Sequence, residues 1–441
     1  MARIIITERA LPSEALASVT RSDDQVVTLD YLSGISAQLA LEPTTLLDIR
    51  QRALALAQRW HLPSTDAEND LTRYCDVSIG SILEIELWYS WCLLLVDLEL
   101  LRRILAAFAP RQIVVVTFRN YQLVSLLQQL CTTPIHIIKP PLSSRLRHAL
   151  AKDNRLQTLK RLDLDRHIRL GALAVSPNNL VKPSRPITVL GLLELPGSYY
   201  AESLLPVLSH VPDSAILLMD RRHTDRVVST RTPAIQFSSW MTPHLNKLVS
   251  EPPYWQRVFD TLTPLMRATF QDEGVDLWPS IAPRLKHIFT TKFPLVAAEI
   301  EASERMLTQL QVESLLLNTD AHHGSRLLTL VGQKLGVPAL VVQHGATQAP
   351  WGYLPLHADR FAAWGEASRR WMIAGGADPS KIVVTGQPRF DKLTILPPQK
   401  GAPLIYQQRV FYCSGHLTLY LSLKIVQYWI CLLMLSSRYQ G

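Results

Sequence analysis

Four short apolar segments in the C-terminal third of the 441-residue sequence each end abruptly in polar or glycine residues. The segments are 314–317, 339–342, 361–363 and 382–384, and they are followed by 318–323, 343–345, 364–366 and 385–391. Helical patterns at 322–335 and 366–375 connect the first two and the last two segments, as in β-α-β units. Ligands of open α/β sheets bind beyond the carboxyl ends of the strands, so these polar residues predict one shared crevice.

The rest of the sequence predicts a second α/β unit and two atypical segments. A chain of 441 residues is expected to form two or three domains. The expected boundaries are an N-terminal α/β domain at 1–141, a basic helical segment and linker at 142–186, a Rossmann-like domain at 187–400 and an apolar tail at 401–441. Predicted strands of the two domains, besides the four above, are 4–6, 25–29, 113–117, 135–138, 187–193, 215–219 and 234–237.

Three segments could contact a membrane. The charge-free stretch 87–96 has only ten residues, too few to span a bilayer, so it predicts a buried helix carrying Trp88 and Trp91. The basic segment 145–169 fits either an anionic membrane surface or a solvated helix face. The tail lacks any Asp or Glu after Asp391, which favours a frameshifted or foreign sequence over a membrane anchor.

Charge and cysteine content indicate which kind of binding partner and which cellular compartment suit the protein. The excess of 45 basic over 37 acidic residues suits an anionic partner, but no nucleic-acid-binding motif accompanies it, so we expect no nucleic acid. Five scattered cysteines without a CxxC pair favour a reducing compartment. The apolar start of the chain is too short for a signal peptide. We therefore expect a cytoplasmic protein, with peripheral contact at the inner face of the membrane left open.

The segments "VVQHGATQAPWGYLPLHADRFAAWGE" and "GGADPSKIVVTGQPRFD" resemble the junction region of bacterial surface and capsule polysaccharide transferases. That group lies close to the CDP-glycerol glycerophosphotransferases, whose plan is similar to the two-Rossmann (GT-B) glycosyltransferases and to UDP-N-acetylglucosamine 2-epimerase. The resemblance covers roughly 187–391. It implies an α/β fold of Rossmann-like parallel sheets flanked by helices, GT-B-like, with an incomplete C-terminal half.

The same resemblance implies His344 as the general base that removes a proton from an acceptor hydroxyl, with Gly345 allowing close approach of substrate. The alternative for His344 is a strand-end histidine bonded to a neighbouring loop. Further candidate substrate-binding residues are Asp320, Glu366, Gly386, Arg389 and Asp391. Arg389 could bind a phosphate or hold Asp391 in a hinge, and Glu366 could simply cap its helix. Asp320, His322 and His323 lie too close together on one turn for a metal site.

Three functions remain open from the sequence. The first is transfer of a sugar or glycerol phosphate from a nucleotide-activated donor, such as CDP-glycerol, to a polysaccharide or lipid-linked acceptor. The second is a sugar-nucleotide 2-epimerase, which needs additional carboxylates that the sequence does not make evident. The third is an inactive, truncated remnant. The turn at 195–200 replaces the glycine triad of a dinucleotide-binding fold, so a bound NAD is not supported. We expect no cofactor.

Overall fold

The computed structural model describes residues 3–7, 16–29, 39–62, 70–116, 121–138, 186–194, 198–219, 232–244, 246–347 and 352–388. These residues belong to two compact units, one within 1–52 and 94–145 and the other within 53–93 and 146–393. The basic segment, Arg389, Asp391 and the tail lie outside the described residues, so the predictions made for them stay predictions.

The strands, in chain order, are β1 Arg3–Thr7, β2 Gln25–Thr28, β3 Arg73–Tyr74, β4 Val77–Ser78, β5 Gln112–Val116, β6 Ile135–Ile138, β7 Val189–Leu193, β8 Ser214–Leu218, β9 Ala234–Gln236, β10 Gln271–Asp272, β11 Val275–Asp276, β12 Ser314–Leu317, β13 Ala339–Val342, β14 Arg360–Ala363 and β15 Ile382–Val384. The helices are α1 Pro43–Arg59, α2 Ile79–Ile82, α3 Glu84–Phe108, α4 Tyr121–Leu130, α5 Ser198–His210, α6 Ser238–Met241, α7 Lys247–Ser250, α8 Pro252–Arg267, α9 Trp278–Thr291, α10 Phe293–Gln309, α11 His323–Leu335 and α12 Glu366–Ala374.

The first unit contains a four-stranded parallel sheet in the order β2-β1-β5-β6. The central strands β1 and β5 are apolar on both faces, as expected for parallel strands covered from both sides. Ile5 and Val114 pair across them and are both fully buried. All four strands predicted for this part of the sequence are therefore confirmed.

The second unit contains a seven-stranded parallel sheet in the order β15-β14-β13-β12-β7-β8-β9. From β7 the chain moves outward through β8 to β9, then returns to β12 on the other side of β7 and moves outward again. This is the strand order of a doubly wound Rossmann sheet, with its switch point between β7 and β12. The predicted fold class is thus confirmed, and the arrangement is consistent with a GT-B-like plan.

Apolar side chains from the strands and from α5 form the core on one face of this sheet. Leu204 and Leu208 of α5 pack over Ile216 and Leu316. Gly191 in β7 makes this contact possible, because a Cβ there would lie 2.6 Å from a methyl group of Leu208. Burial of these side chains contributes roughly 1.5–3 kcal/mol each.

The charge-free stretch 87–96 lies within α3, and Trp88 and Trp91 are buried. Trp91 packs edge-on against Phe270, with ring centroids 5.6 Å apart. The predicted buried helix is therefore confirmed. Within the described ranges, no helix combines the length and the apolar character needed to cross a membrane.

Candidate active site

The carboxyl ends of β7, β12, β13, β14 and β15 all lie at one edge of the seven-stranded sheet, because the strands are parallel. The residues that follow them are Glu194, Asn318–His323, Gln343–Gly345, Trp364–Glu366 and Thr385–Gly386. Five of the predicted site residues, Asp320, His344, Gly345, Glu366 and Gly386, are thus brought to this edge. Their roles in binding and catalysis stay predictions.

His344 directly follows β13 and is fixed in one orientation. Its Nδ1 lies 2.7 Å from the carbonyl oxygen of Asn318, beyond the end of the neighbouring strand β12. A carbonyl oxygen only accepts hydrogen bonds, so Nδ1 carries the proton and Nε2 carries the lone pair. The imidazole also stacks on Tyr353, with ring centroids 5.0 Å apart.

Gln343 and Tyr353 hold the turn that carries His344. The Gln343 side chain donates to the carbonyl of Gly345 at 2.8 Å and accepts from the backbone N–H of Trp364 at 2.8 Å, which joins β13 to β14. The Tyr353 hydroxyl donates to the carbonyl of Gly345 and accepts from its N–H, both at 2.9 Å. A Cβ on Gly345 would meet Tyr353 at 3.5 Å, an ordinary contact, so the packing of the described residues does not require glycine there.

The environment of His344 disfavours its charged form. Burial lowers the pKa of His344 to about 4, the hydrogen bond to Asn318 opposes this, and the nearby His322 lowers it further. The imidazole is therefore neutral near pH 7. A neutral ring with a defined tautomer can accept a hydrogen bond from a hydroxyl, but a pKa this low makes it a weak base.

A carboxylate occupies the N-terminus of α11 at the switch point of the sheet. Glu194, which follows β7, accepts hydrogen bonds from the backbone N–H groups of Gly324 at 2.7 Å and Ser325 at 3.0 Å. Gly324 permits this approach, because a Cβ would lie 3.1 Å from Glu194 Oε1 and 2.9 Å from the Met219 methyl group. The first turn of α11 is therefore capped by an acidic side chain from a neighbouring strand end.

His323, the first residue of α11, is paired with Glu299 of α10. Nε2 of His323 donates to Oε2 of Glu299 at 2.6 Å, and the two side chains are 30% and 13% exposed. Burial alone would lower the pKa of His323, but Glu299 outweighs it, Glu194 adds to the effect, and the pKa is raised overall. The edge thus carries two imidazoles with pKa values shifted in opposite directions.

Asp320 lies in the interior, 1% exposed. Its carboxylate accepts from the backbone N–H groups of His357 and of Ala358, the latter at 2.8 Å, and so ties the end of β12 to the segment before β14. Burial raises the pKa of Asp320. Arg326 donates to the Asp320 carbonyl and lies 3.2 Å from the buried Glu84. These contacts favour a positioning role for Asp320.

Glu366 and Gly386 follow the outer strands of the same edge. Glu366 begins α12, is 53% exposed and accepts from Arg369 at 3.1 Å, and the N-cap residue Gly365 has no side-chain capping hydrogen bond, so both the binding role and the capping alternative stay predictions. Gly386 has a φ of 85°, a conformation that favours glycine. Its ligand-binding role stays a prediction, as do the roles of Arg389 and Asp391.

Sequence reasoning missed two carboxylates at this edge. Glu194 had the same signal as the other candidates, because it directly follows the apolar run 187–193. Glu299 lies inside a long helix, where nothing in the local sequence distinguishes it from a solvated residue. Only the packing of α10 beside α11 shows that it faces His323.

Comparison with known proteins identifies no family for the chain. No family model matches it, and no curated protein matches it. Among solved structures, the chain is similar to a candidate UDP-N-acetylglucosamine 2-epimerase from Listeria monocytogenes, with 12% identity and a TM-score of 0.27 over 51% of each chain. The chain thus spans about half of that protein, and a TM-score this low carries no argument about activity. The fold class rests on the strand order and parallel pairing described above.

Proposed function

We propose that the chain is a transferase that moves a sugar or a glycerol phosphate from a nucleotide-activated donor to a surface polysaccharide or a related lipid-linked acceptor. The observation that carries this proposal is the histidine-rich carboxyl edge of a Rossmann-ordered sheet, with His344 held as one neutral tautomer. Ligands of such sheets bind at this edge, next to the switch point.

The chemistry requires positioning and one proton transfer. The acceptor oxygen forms a bond to the transferred group as the bond from that group to a phosphate oxygen of the nucleotide breaks. The electron pair of the broken bond leaves with the nucleotide, and the hydroxyl proton passes to a base. His344 Nε2 can accept a hydrogen bond from a hydroxyl of the bound substrate.

The place of action belongs to the proposal as well. We propose a cytoplasmic enzyme that contacts the inner face of the membrane through the basic segment 145–169, where a lipid-linked acceptor would be found. Binding of the full chain to vesicles with and without anionic lipid tests this part. Equal binding to neutral vesicles would contradict it.

A second candidate, a sugar-nucleotide 2-epimerase, gains support from Glu194 and Glu299. This reaction needs groups that remove and return a proton, and the two carboxylates both lie at the first turn of α11, next to the switch point. Incubation of the full chain with UDP-N-acetylglucosamine in D₂O separates the two functions. An epimerase incorporates deuterium into the sugar, whereas a transferase does not.

Nucleotide release tests the main proposal. The full chain is incubated with CDP-glycerol or UDP-N-acetylglucosamine, with polyol-phosphate or hexosamine oligomers as acceptors. We expect release of CMP or UDP that increases with acceptor. Absence of release with every donor and acceptor pair, together with absence of donor binding, would overturn the proposal.

A further inference from the structure

We infer that His323, oriented by Glu299, is the residue that accepts the proton of the acceptor hydroxyl. This inference rests on the proposed function, and it assigns the proton transfer to a residue different from the one that the sequence predicted. Glu299 is a positioning residue in this assignment, because it acts through His323.

The His323 imidazole is hydrogen-bonded through one of its ring nitrogens to the Glu299 carboxylate. Glu299 Oε2 lies 2.6 Å from Nε2 of His323, so this nitrogen carries a proton and Nδ1 is the nitrogen available for chemistry. Within the described part of the chain, Nδ1 of His323 makes no hydrogen bond. The side chain is 30% exposed at the N-terminus of α11, beside the switch point.

The charges around His323 determine which part of a substrate fits there. Two carboxylates, Glu299 and Glu194, and one ammonium group, Lys292, act on the imidazole, so the cluster is net negative while the ring is neutral. A diphosphate would be repelled at this place. An uncharged acceptor hydroxyl would not be repelled there. The Glu299 carboxylate would stabilise the imidazolium that forms on His323 when the proton is transferred.

The second imidazole of the edge is less suited to this task. A base works best when its pKa lies near the operating pH, and the pKa of His344 is lowered to about 4. His344 is instead a neutral hydrogen-bonding group near pH 7, and its tautomer is fixed by Asn318. Its contribution is then to accept a hydrogen bond from another hydroxyl of the acceptor or of the transferred group.

In the proposed step the acceptor oxygen bonds to the transferred group, and the bond from that group to the nucleotide phosphate oxygen breaks. The electron pair leaves with the nucleotide. The proton of the acceptor hydroxyl passes to Nδ1 of His323, which becomes an imidazolium paired with Glu299. Loss of that proton to water restores the neutral ring.

The first part of the test is independent of any activity. Histidine NMR titration of the full chain measures the pKa of His323 in the wild type, in Glu299→Gln and in the control Glu304→Gln. Glu304 lies on the same helix but pairs with Lys334. We expect Glu299→Gln to lower the pKa of His323 and Glu304→Gln to leave it unchanged, since Glu299, Glu194 and Lys292 are the charged groups that act on the ring. An unchanged pKa in Glu299→Gln would overturn the pairing.

The second part measures how kcat/KM of nucleotide release depends on pH. The acidic limb should lie above the ordinary histidine pKa if His323 is the base, and near pH 4 if His344 is the base. We expect His323→Gln to lower kcat roughly 10²- to 10⁴-fold, and Glu299→Gln to move the limb to lower pH. The exposed His210 of α5 provides the control, and His210→Gln should change neither quantity.

The outcomes separate the inference from the function on which it rests. Turnover by the wild type with normal kcat in His323→Gln, or with an acidic limb near pH 4, overturns the role of His323 and leaves the transferase intact. Absence of turnover by the wild type overturns the proposed function and this inference with it. If His323→Gln unfolds, the limb shift in Glu299→Gln decides the question.

Discussion

The position of His344 is fixed by its neighbours. Asn318 binds one ring nitrogen, Tyr353 covers one face of the ring, and Gln343 and Tyr353 hold the backbone on both sides. The arrangement preorganises one neutral imidazole at the edge of the sheet.

Replacement of His344 should affect turnover more than folding. We expect His344→Gln to lower kcat roughly 10²-fold or more through loss of substrate orientation, with a small change in melting temperature. His210→Gln provides the matched control. Normal turnover in a variant with a lowered melting temperature would assign His344 to structure alone.

The same residue predicts a pH dependence of stability. The pKa of His344 is about 4 in the folded chain and 6.5 in its ordinary environment, so the unfolded chain binds more protons between these values. Stability is therefore lost as the pH falls from about 6.5 to about 4. Urea unfolding near pH 7 and near pH 5 should show a smaller loss for His344→Gln than for the wild type. Equal losses would show that the ring is not buried as a neutral group.

At the scale of elements, α11 is attached at its first turn to three other parts of the second unit. Glu194 binds its N-terminal amides, Glu299 binds His323, and Arg326 reaches the buried Glu84 at the start of α3. The helix ends at Gly336, whose φ of 73° suits glycine. This helix therefore links the candidate site to the core.

Loss of the carboxylate cap should weaken α11. We expect Glu194→Ala to destabilise the chain by about 0.5–2 kcal/mol, because two backbone N–H groups lose their acceptor. Glu194→Gln keeps one acceptor oxygen and should cost less. If both variants unfold in urea with the same free energy as the wild type, water replaces the Glu194 carboxylate at these N–H groups without loss of stability.

Breaking the buried pair of Arg326 and Glu84 should lower the free energy of unfolding more than loss of the Glu194 cap does. The two side chains are 2% and 8% exposed, so Arg326→Met leaves a buried carboxylate without its partner, at a cost of about 3–5 kcal/mol. Adding Glu84→Gln should recover part of this loss. A double-mutant cycle measures the coupling free energy between Arg326 and Glu84. If the losses in the two single variants simply add in the double variant, the pairing is contradicted.

At the scale of the whole molecule, the strands of both sheets were predictable and the tertiary partners of the site were not. The strands were visible because buried parallel strands are continuous apolar runs that end in polar residues. The short ribbons β3–β4 and β10–β11 were missed, since each strand has two residues and their turns depend on positive φ at positions such as Asp76 and Gly274. His344 was found from its place after a strand. Glu299 was not, because its role arises from helix packing.

The tail remains a separate prediction of the sequence. The lack of acidic residues after Asp391 is the basis for the prediction that residues 401–441 are a frameshifted or foreign sequence. We expect deletion of 404–441 to leave the melting temperature unchanged. Unfolding of the deleted chain, or its loss from membranes to which the full chain binds, would show that the tail is a structural or anchoring element.

The most direct test of the account is where a nucleotide-activated donor binds. Hydrogen exchange of the full chain, measured by mass spectrometry with and without saturating CDP-glycerol or UDP-N-acetylglucosamine, locates the site without requiring turnover. We predict protection of peptides covering 343–347 and 364–366, at the carboxyl edge of the seven-stranded sheet and away from the acidic cluster around His323. Donor binding with protection confined to other segments, or no protection by either donor, would contradict the account.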